Sequence, residues 1–172
     1  MDDNQKVLTK YCYKCGKTVS FNNNGYPVCE DDGVLWSLRR NSVCAEAFVV
    51  RDDGKLLLIK RATNPMIGYW ALPGGFSEYG EHPIKTAERE VLEETGWKVQ
   101  MTGEVLGVYL DSFPEDLNSE HRVVISYLAR PISKGTGLDK ETHGSDWFDP
   151  SDLPKETIPV DLNRFRDYLS KT

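Results

Sequence analysis

A mixed α/β (α+β) fold, in which a mixed β-sheet is flanked by helices, is predicted for residues 39–172, behind a small cysteine-bearing module over residues 1–38. Apolar runs of strand length, at Val43–Val50, Val99–Leu110 and Val123–Leu128, are interspersed with segments of helical spacing and show no regular strand–helix alternation. The composition is globular, with 39% hydrophobic, 28% charged and 10% aromatic residues in a chain of 172. Three of the four cysteines fall before residue 30, which sets the N-terminal stretch apart. A chain of this length buries roughly 70% of its unfolded surface, enough for one ordinary domain and a minor module.

The opening residues Met1-Asp2-Asp3-Asn4-Gln5-Lys6 are polar, with no apolar run of a secretory signal behind them. The compact apolar stretch Leu56–Ile59 is far too short to cross a bilayer. The chain therefore reads as soluble and cytoplasmic, with no membrane partner. Lys and Arg total 21 against 27 Asp and Glu, a net charge of -6. The sequence pI near 5.1 argues against nucleic-acid binding through bulk charge. In a cytosolic setting the cysteines read as metal ligands or buried thiols, not as a disulfide framework.

Turn signals divide the module at Asn22-Asn23-Asn24-Gly25 and Glu30-Asp31-Asp32-Gly33. Beyond it, Asp52-Asp53-Gly54 between two apolar runs predicts a hairpin. Residues 61–82 form a loop-rich segment containing Pro65, Gly68, Pro73, Gly74, Gly75 and Gly80. Pro83–Thr95 is a predicted helix, with proline suited to its first position and Gly96 to its stop. Val99–Leu110 and Val123–Leu128 are predicted strands, Trp147-Phe148 ends another, and Val160–Leu169 closes the chain as a helix with Leu162, Phe165 and Leu169 on one face.

On the wheel of the first helix, Ile84, Ala87, Val91 and Thr95 share a direction and supply a core stripe. Glu90, Glu93 and Glu94 lie on another side, displaced from Ile84 by roughly 80° to 180°. Like charges at i,i+3 and i,i+4 repel by a few tenths of a kcal/mol per pair, and a divalent cation converts that repulsion into binding. Hard cations take oxygen ligands and are completed by substrate phosphates, while Gly74-Gly75 allows close approach of backbone to an ion or phosphate. The plain alternative is a solvated acidic helix face.

Gly75, Glu81 and Arg89-Glu90-Val91-Leu92-Glu93-Glu94-Thr95-Gly96-Trp97 together resemble the signature of the Nudix hydrolases, with nine specified positions occupied in a frame of 23 residues. Tyr69-Trp70-Ala71-Leu72-Pro73-Gly74 is similar to the family's approach to its box, and Trp147-Phe148 with Asp152-Leu153-Pro154 to a late family segment. The resemblance covers roughly residues 42–170 and implies an α/β/α sandwich with a mixed sheet. It implies that Glu90, Glu93 and Glu94 bind a catalytic Mg²⁺ or Mn²⁺ with the Gly75 carbonyl. By the same resemblance Arg89 orients the glutamates and Glu81 supports them. The implied reaction is hydrolysis of a diphosphate linkage, with homodimers a family-level expectation. Its general base is Glu90, Glu94 or a loop glutamate, for which Glu115, Glu120 and Glu141 are available.

Cys12-Tyr13-Lys14-Cys15-Gly16 is half of a zinc knuckle, and Cys29-Glu30-Asp31-Asp32-Gly33 matches the other half with Asp32 in the place of a fourth cysteine. The arrangement resembles the zinc ribbon of NADH pyrophosphatases and implies a structural Zn²⁺ at Cys12, Cys15, Cys29 and Asp32. Cys44 is the alternative fourth ligand, but its apolar strand favours a buried, inert thiol.

The stretch Tyr109-Leu110-Asp111-Ser112-Phe113-Pro114 does not match the NADH-cleaving motif, and Pro114 leans toward ADP-ribose or another ADP-sugar. Its ordinary role is a turn residue. NADH, nucleoside triphosphates and dinucleotides are the alternative substrates. A non-catalytic ligand-sensing or partner-binding module, or RNA contact through the ribbon lysines, is a reading of another class. Trp70, Tyr69 and Phe113 are candidates to stack on a base, whereas Trp97 and Trp147 read as core.

Overall fold

A computed structural model describes residues 10–23, 27–35, 42–64, 66–112, 121–135 and 141–170. The short strands β1 (Ser20–Phe21), β2 (Pro27–Cys29) and β3 (Gly33–Val34) form an antiparallel sheet within the cysteine module. The remaining elements are β4 (Ser42–Val49), β5 (Leu56–Arg61), β6 (Trp70–Ala71), β7 (Gly74–Phe76), α1 (Pro83–Thr95), β8 (Trp97–Ser112), β9 (His121–Lys134), β10 (Thr142–Phe148) and α2 (Pro159–Leu169).

The larger sheet has the order β7-β4-β9-β8, with β4 parallel to β9 from Ser42↔Arg122 to Val49↔Ala129 and the other pairs antiparallel. A second antiparallel sheet has the order β10-β5-β6. The Asp-Asp-Gly turn forms as expected, with Gly54 at φ +80° and Val50 bridged to Leu56. Beyond that bridge β4 and β5 part into different sheets, so the predicted hairpin is only a turn. Cys44–Val49 and Leu56–Ile59 are buried on both faces, as in strands that lie between layers.

Side chains of β4 alternate between two layers. Ala45, Ala47 and Val49 pack with Ala87 and Val91 of α1, and Leu57 of β5 joins them. Phe48 faces the opposite way onto Phe165 of α2, edge-on at 5.6 Å. The result is the implied α/β/α sandwich.

Helix α1 spans the predicted residues because its end signals are local. His82 Nδ1 accepts the Ile84 N–H at 3.3 Å, Pro83 occupies the first turn, and Gly96 closes the helix at φ 73° with its N–H on the Leu92 carbonyl. In α2 the predicted stripe is corrected: Phe165 is buried, but Leu162 and Leu169 are exposed, and Asp161 and Arg164 take the inner face. Periodicity alone cannot foresee this, because those charges are buried only through partners on the sheet. Trp97 and Trp147 pack edge-on at 5.5 Å beside the first core cluster, as expected of core residues. Among the described residues, no helix is long and apolar enough to cross a membrane.

Candidate active site and candidate metal-binding module

The glutamate face of α1 is turned toward the Leu72–Phe76 strap. Glu94 lies only about 20° from Ala87 on the helical wheel. It is therefore drawn into the edge of the core, where it is 6% exposed. There Glu94 Oε2 accepts the Gly74 N–H at 2.9 Å. Burial raises the proton affinity of Glu94 well above that of an ordinary carboxylate, against the stabilising Gly74 N–H, and the nearby charge of Glu90 raises it further. Burial also pushes Glu90 up, opposed by Arg89.

Gly75 is a glycine for a steric reason. A Cβ there would stand 2.5 Å from Glu90 Oε1 and 2.6 Å from its Cδ, so the carboxylate fills the space a side chain would take. A Cβ at Gly74 would stand 2.5 Å from Glu46 Cβ and 2.6 Å from the Ala45 carbonyl, so the strap lies directly on β4.

Arg89 ties these carboxylates together. Its Nε and Nη2 each donate to Glu81 at 2.9 Å, a bidentate clasp, and Nη1 donates to Glu90 at 2.8 Å and Glu93 at 3.0 Å. Nη2 also donates to the Phe76 carbonyl at 3.1 Å, which fixes the strap against the helix. The Arg89 guanidinium, with help from the Glu78 N–H and the Thr86 hydroxyl, holds the Glu81 carboxyl down at about 2. Glu81 is thus an ionised anchor for Arg89, the supporting role implied for it.

This donor set is all oxygen and suits a hard divalent cation. Two of its members, Glu90 and Glu94, stand against the glycine strap, where the main chain can approach an ion. Glu141 borders the same place: its negative charge raises both Glu90 and Glu94, and the neighbouring Thr142 hydroxyl donates to the Glu94 carbonyl at 3.1 Å. Glu115, Glu120, Phe113 and Pro114 lie outside the described residues. Trp70 sits on β6, edge-on to Phe148 at 4.7 Å with the Lys60 ammonium 5.7 Å from its ring, half-buried against the second core cluster.

A buried ion network escaped the sequence reading. Arg164 of α2 donates through Nη1 to Glu46 at 2.9 Å and Asp161 at 2.8 Å, and through Nη2 to Asp111. Ser126 Oγ donates to the other oxygen of Glu46, and Asp161 Oδ2 accepts the Leu72 N–H at 3.1 Å. The strap is therefore gripped from both layers: Leu72 by Asp161, Pro73 through its carbonyl by the Ala47 N–H, and Gly74 by Glu94. One signal was available, since Glu46 is the lone acid inside the apolar run Val43–Val50.

In the N-terminal module, Cys12, Cys15, Cys29 and Asp32 each offer a ligand atom, and all of these lie within 4.8 Å of one another. Cys12 Sγ is 3.2 Å from Asp32 Oδ2, and Cys15 and Cys29 sulfurs are 3.5 Å apart, too far for a disulfide. Two sulfurs on one tetrahedral zinc stand about 3.8 Å apart, so the spacing fits that ion. The Lys14 N–H donates to Cys12 Sγ at 3.4 Å, the backbone support expected of a knuckle. Cys44 is elsewhere, on β4 opposite Phe76 and Val124, where burial pushes its thiol up to about 11 and keeps it inert.

The fold and the carboxylate helix define a hydrolase of the phosphate-handling class. The NUDIX domain model matches residues 40–168, and the chain belongs to that family. An ADP-ribose pyrophosphatase from Methanocaldococcus jannaschii is 36% identical over 124 residues, covering 69% of this chain and 72% of that protein. A MutT-like protein from Streptomyces ambofaciens is 33% identical over 129 residues, covering 75% and 77%. Among solved structures, a NUDIX hydrolase from Nitrosomonas europaea superposes with a TM-score of 0.73 at 25% identity, covering 94% of this chain and 91% of that one.

Proposed function

We propose that this protein hydrolyses the diphosphate linkage of a nucleoside diphosphate joined to a second moiety, with ADP-ribose as its substrate and Mg²⁺ or Mn²⁺ as its cation. The observation that carries this reading is the pairing of Glu90 and Glu94 with the Gly74-Gly75 strap, where a carboxylate occupies the space of a missing side chain. The relative of 36% identity named an ADP-ribose pyrophosphatase supports the choice of substrate.

Gly75, through its carbonyl, and Glu90, Glu93 and Glu94 would hold the cation. When bound, such a cation neutralises phosphate charge and makes its water more acidic. Arg89 keeps Glu90 and Glu93 oriented, and Glu81 keeps Arg89 oriented. Of the two carboxylates beside the strap, Glu90 is the one assigned to take the proton of the attacking water. Glu94, locked by Gly74, serves as a ligand.

The test is product release from a panel of ADP-ribose, NADH, dinucleoside polyphosphates and nucleoside triphosphates with Mg²⁺ or Mn²⁺. Metal-dependent formation of AMP and ribose 5-phosphate from ADP-ribose is expected. Cleavage of another member in preference would reassign the substrate, and no cleavage of any would overturn the reading.

The same proposal gives the N-terminal module a structural Zn²⁺ at Cys12, Cys15, Cys29 and Asp32. Among the described residues its buried apolar cluster is Cys12, Cys29 and Leu35, with Val19 packed against it, too little to hold a module together unaided. Reduced protein prepared without chelator is expected to carry about one equivalent of zinc. Protein free of zinc by elemental analysis would refute the assignment.

A further inference from the structure

We infer that Phe76 and Arg122 form the shelf on which the base of the nucleotide substrate stacks. This deepens the proposed hydrolase reading and rests on it. Phe76 follows Gly75 on β7, and successive residues of a strand point to opposite faces. The Gly75 face holds the Glu90 carboxylate, so the Phe76 ring emerges on the other face. There it aligns across the sheet with Cys44, Val124 and Tyr109, and the Arg122 row runs beside it.

The Arg122 guanidinium lies over the Phe76 ring, 4.9 Å from its centroid. Phe76 is nevertheless 47% exposed, a large apolar surface left open within one residue of the cation-binding glycine. The position is rigid, since Arg89 Nη2 holds the Phe76 carbonyl and the Ser77 N–H bonds to the Val43 carbonyl. An exposed aromatic ring on an immobile backbone, paired with a planar cation, is the combination that stacks on nucleobases.

The topology makes the connection to the carboxylates. β7 is an edge strand of the sheet order β7-β4-β9-β8. A ligand can therefore pass around its rim, with phosphates at Gly75 on one face and the base on Phe76 on the other. Consecutive Cα atoms are about 3.8 Å apart, so the two subsites lie within the reach of a single nucleotide. Stacking engages the flat faces of ring and guanidinium and leaves the guanidinium edge to its existing partners. Trp70 offers no equivalent, since its ring is packed against Phe148.

The test is calorimetric titration of the full chain, in Mg²⁺, with AMP and separately with ribose 5-phosphate, which carries a phosphate but no base. For Phe76→Leu, AMP affinity is expected to fall about tenfold or more while ribose 5-phosphate affinity changes less than about twofold. Phe76→Trp should restore AMP binding, and in turnover of ADP-ribose the leucine variant should lose in KM more than in kcat. Thermal unfolding of each variant checks that the fold is kept. Unchanged AMP affinity in Phe76→Leu would overturn the shelf. Equal loss of AMP and ribose 5-phosphate in Arg122→Ala would also overturn it, by making Arg122 a phosphate ligand. Failure of the hydrolase reading itself would show differently, as undiminished turnover in Glu94→Gln.

Discussion

Glu94→Gln is expected to lower kcat/KM for a diphosphate substrate by about a hundred- to a thousandfold, while the protein without added cation unfolds at nearly its original temperature. The two halves of this expectation have one cause. Glu94 is 6% exposed and its proton affinity is raised well above the ordinary range, so in the absence of a cation it is readily protonated. Glutamine imitates that protonated form and can still accept the Gly74 N–H through its amide oxygen. The strap keeps its anchor and the fold its packing, but the charge that would attract the cation is gone. Added Mn²⁺ should raise the unfolding temperature of the original protein and not of the variant. In Glu90→Gln, by contrast, kcat should fall by a similar factor while part of the Mn²⁺-induced stabilisation survives. Turnover close to the original in both variants would place the chemistry elsewhere.

Arg164→Met is expected to cost about 3 to 5 kcal/mol of stability. Arg164 is 3% exposed and is the shared partner of Glu46, Asp161 and Asp111, each of them buried. Without it these carboxylates face one another in a low-dielectric interior. The network also sets a pH dependence. Burial raises Glu46 to about 8, against the attraction of Arg164 and the Ser126 hydrogen bond and with Asp161 and Asp111 adding to it. Burial likewise raises Asp161 to about 6.

Unfolded, both carboxyls release their protons near 4. Between about pH 4 and pH 8 the native protein therefore holds protons that the unfolded chain has lost, and stability falls as pH rises. The contribution of these groups is complete below pH 4 and is lost through Asp161 first and Glu46 last. Glu46→Gln keeps an acceptor for Ser126 and removes the upper titration, so its unfolding temperature should decline less between pH 6 and pH 9 than that of the original protein. Parallel declines, measured calorimetrically, would rule out Glu46 as the titrating group. Glu81 acts with the opposite sign: its depressed value near 2 gives stability that is present above about 4.5 and lost as acid protonates it.

Helix α1 was legible from its own residues in its limits and most of its core stripe, whereas the burial of Thr86 and Glu94 was not. Pro83 and Gly96 set its limits, and the spacing of Ala87, Val91 and Thr95 the centre of its buried face. The cysteine pattern identified the residues that the module gathers, including Asp32 in place of a fourth cysteine. The pair β4 and β5 shows where local reading stops. Asp52-Asp53-Gly54 carries the signature of a hairpin turn, but continuous apolar runs on either side do not say which neighbours those strands choose. Trp70 stands in a motif suited to ligand contact, and the pairing of β6 with β5 sets its half-buried ring against Phe148.

By itself the sequence determined the carboxylate helix, its ends and the spacing of its carboxylates, because these depend on residues a few positions apart. The tertiary structure alone decided that Gly74 holds Glu94, that Phe76 stands open under Arg122, and that Glu46 meets Arg164 across a separation of 118 residues. A buried charge is tolerable only where its partners converge. That convergence is a property of the packed layers, and no local pattern of residues encodes it.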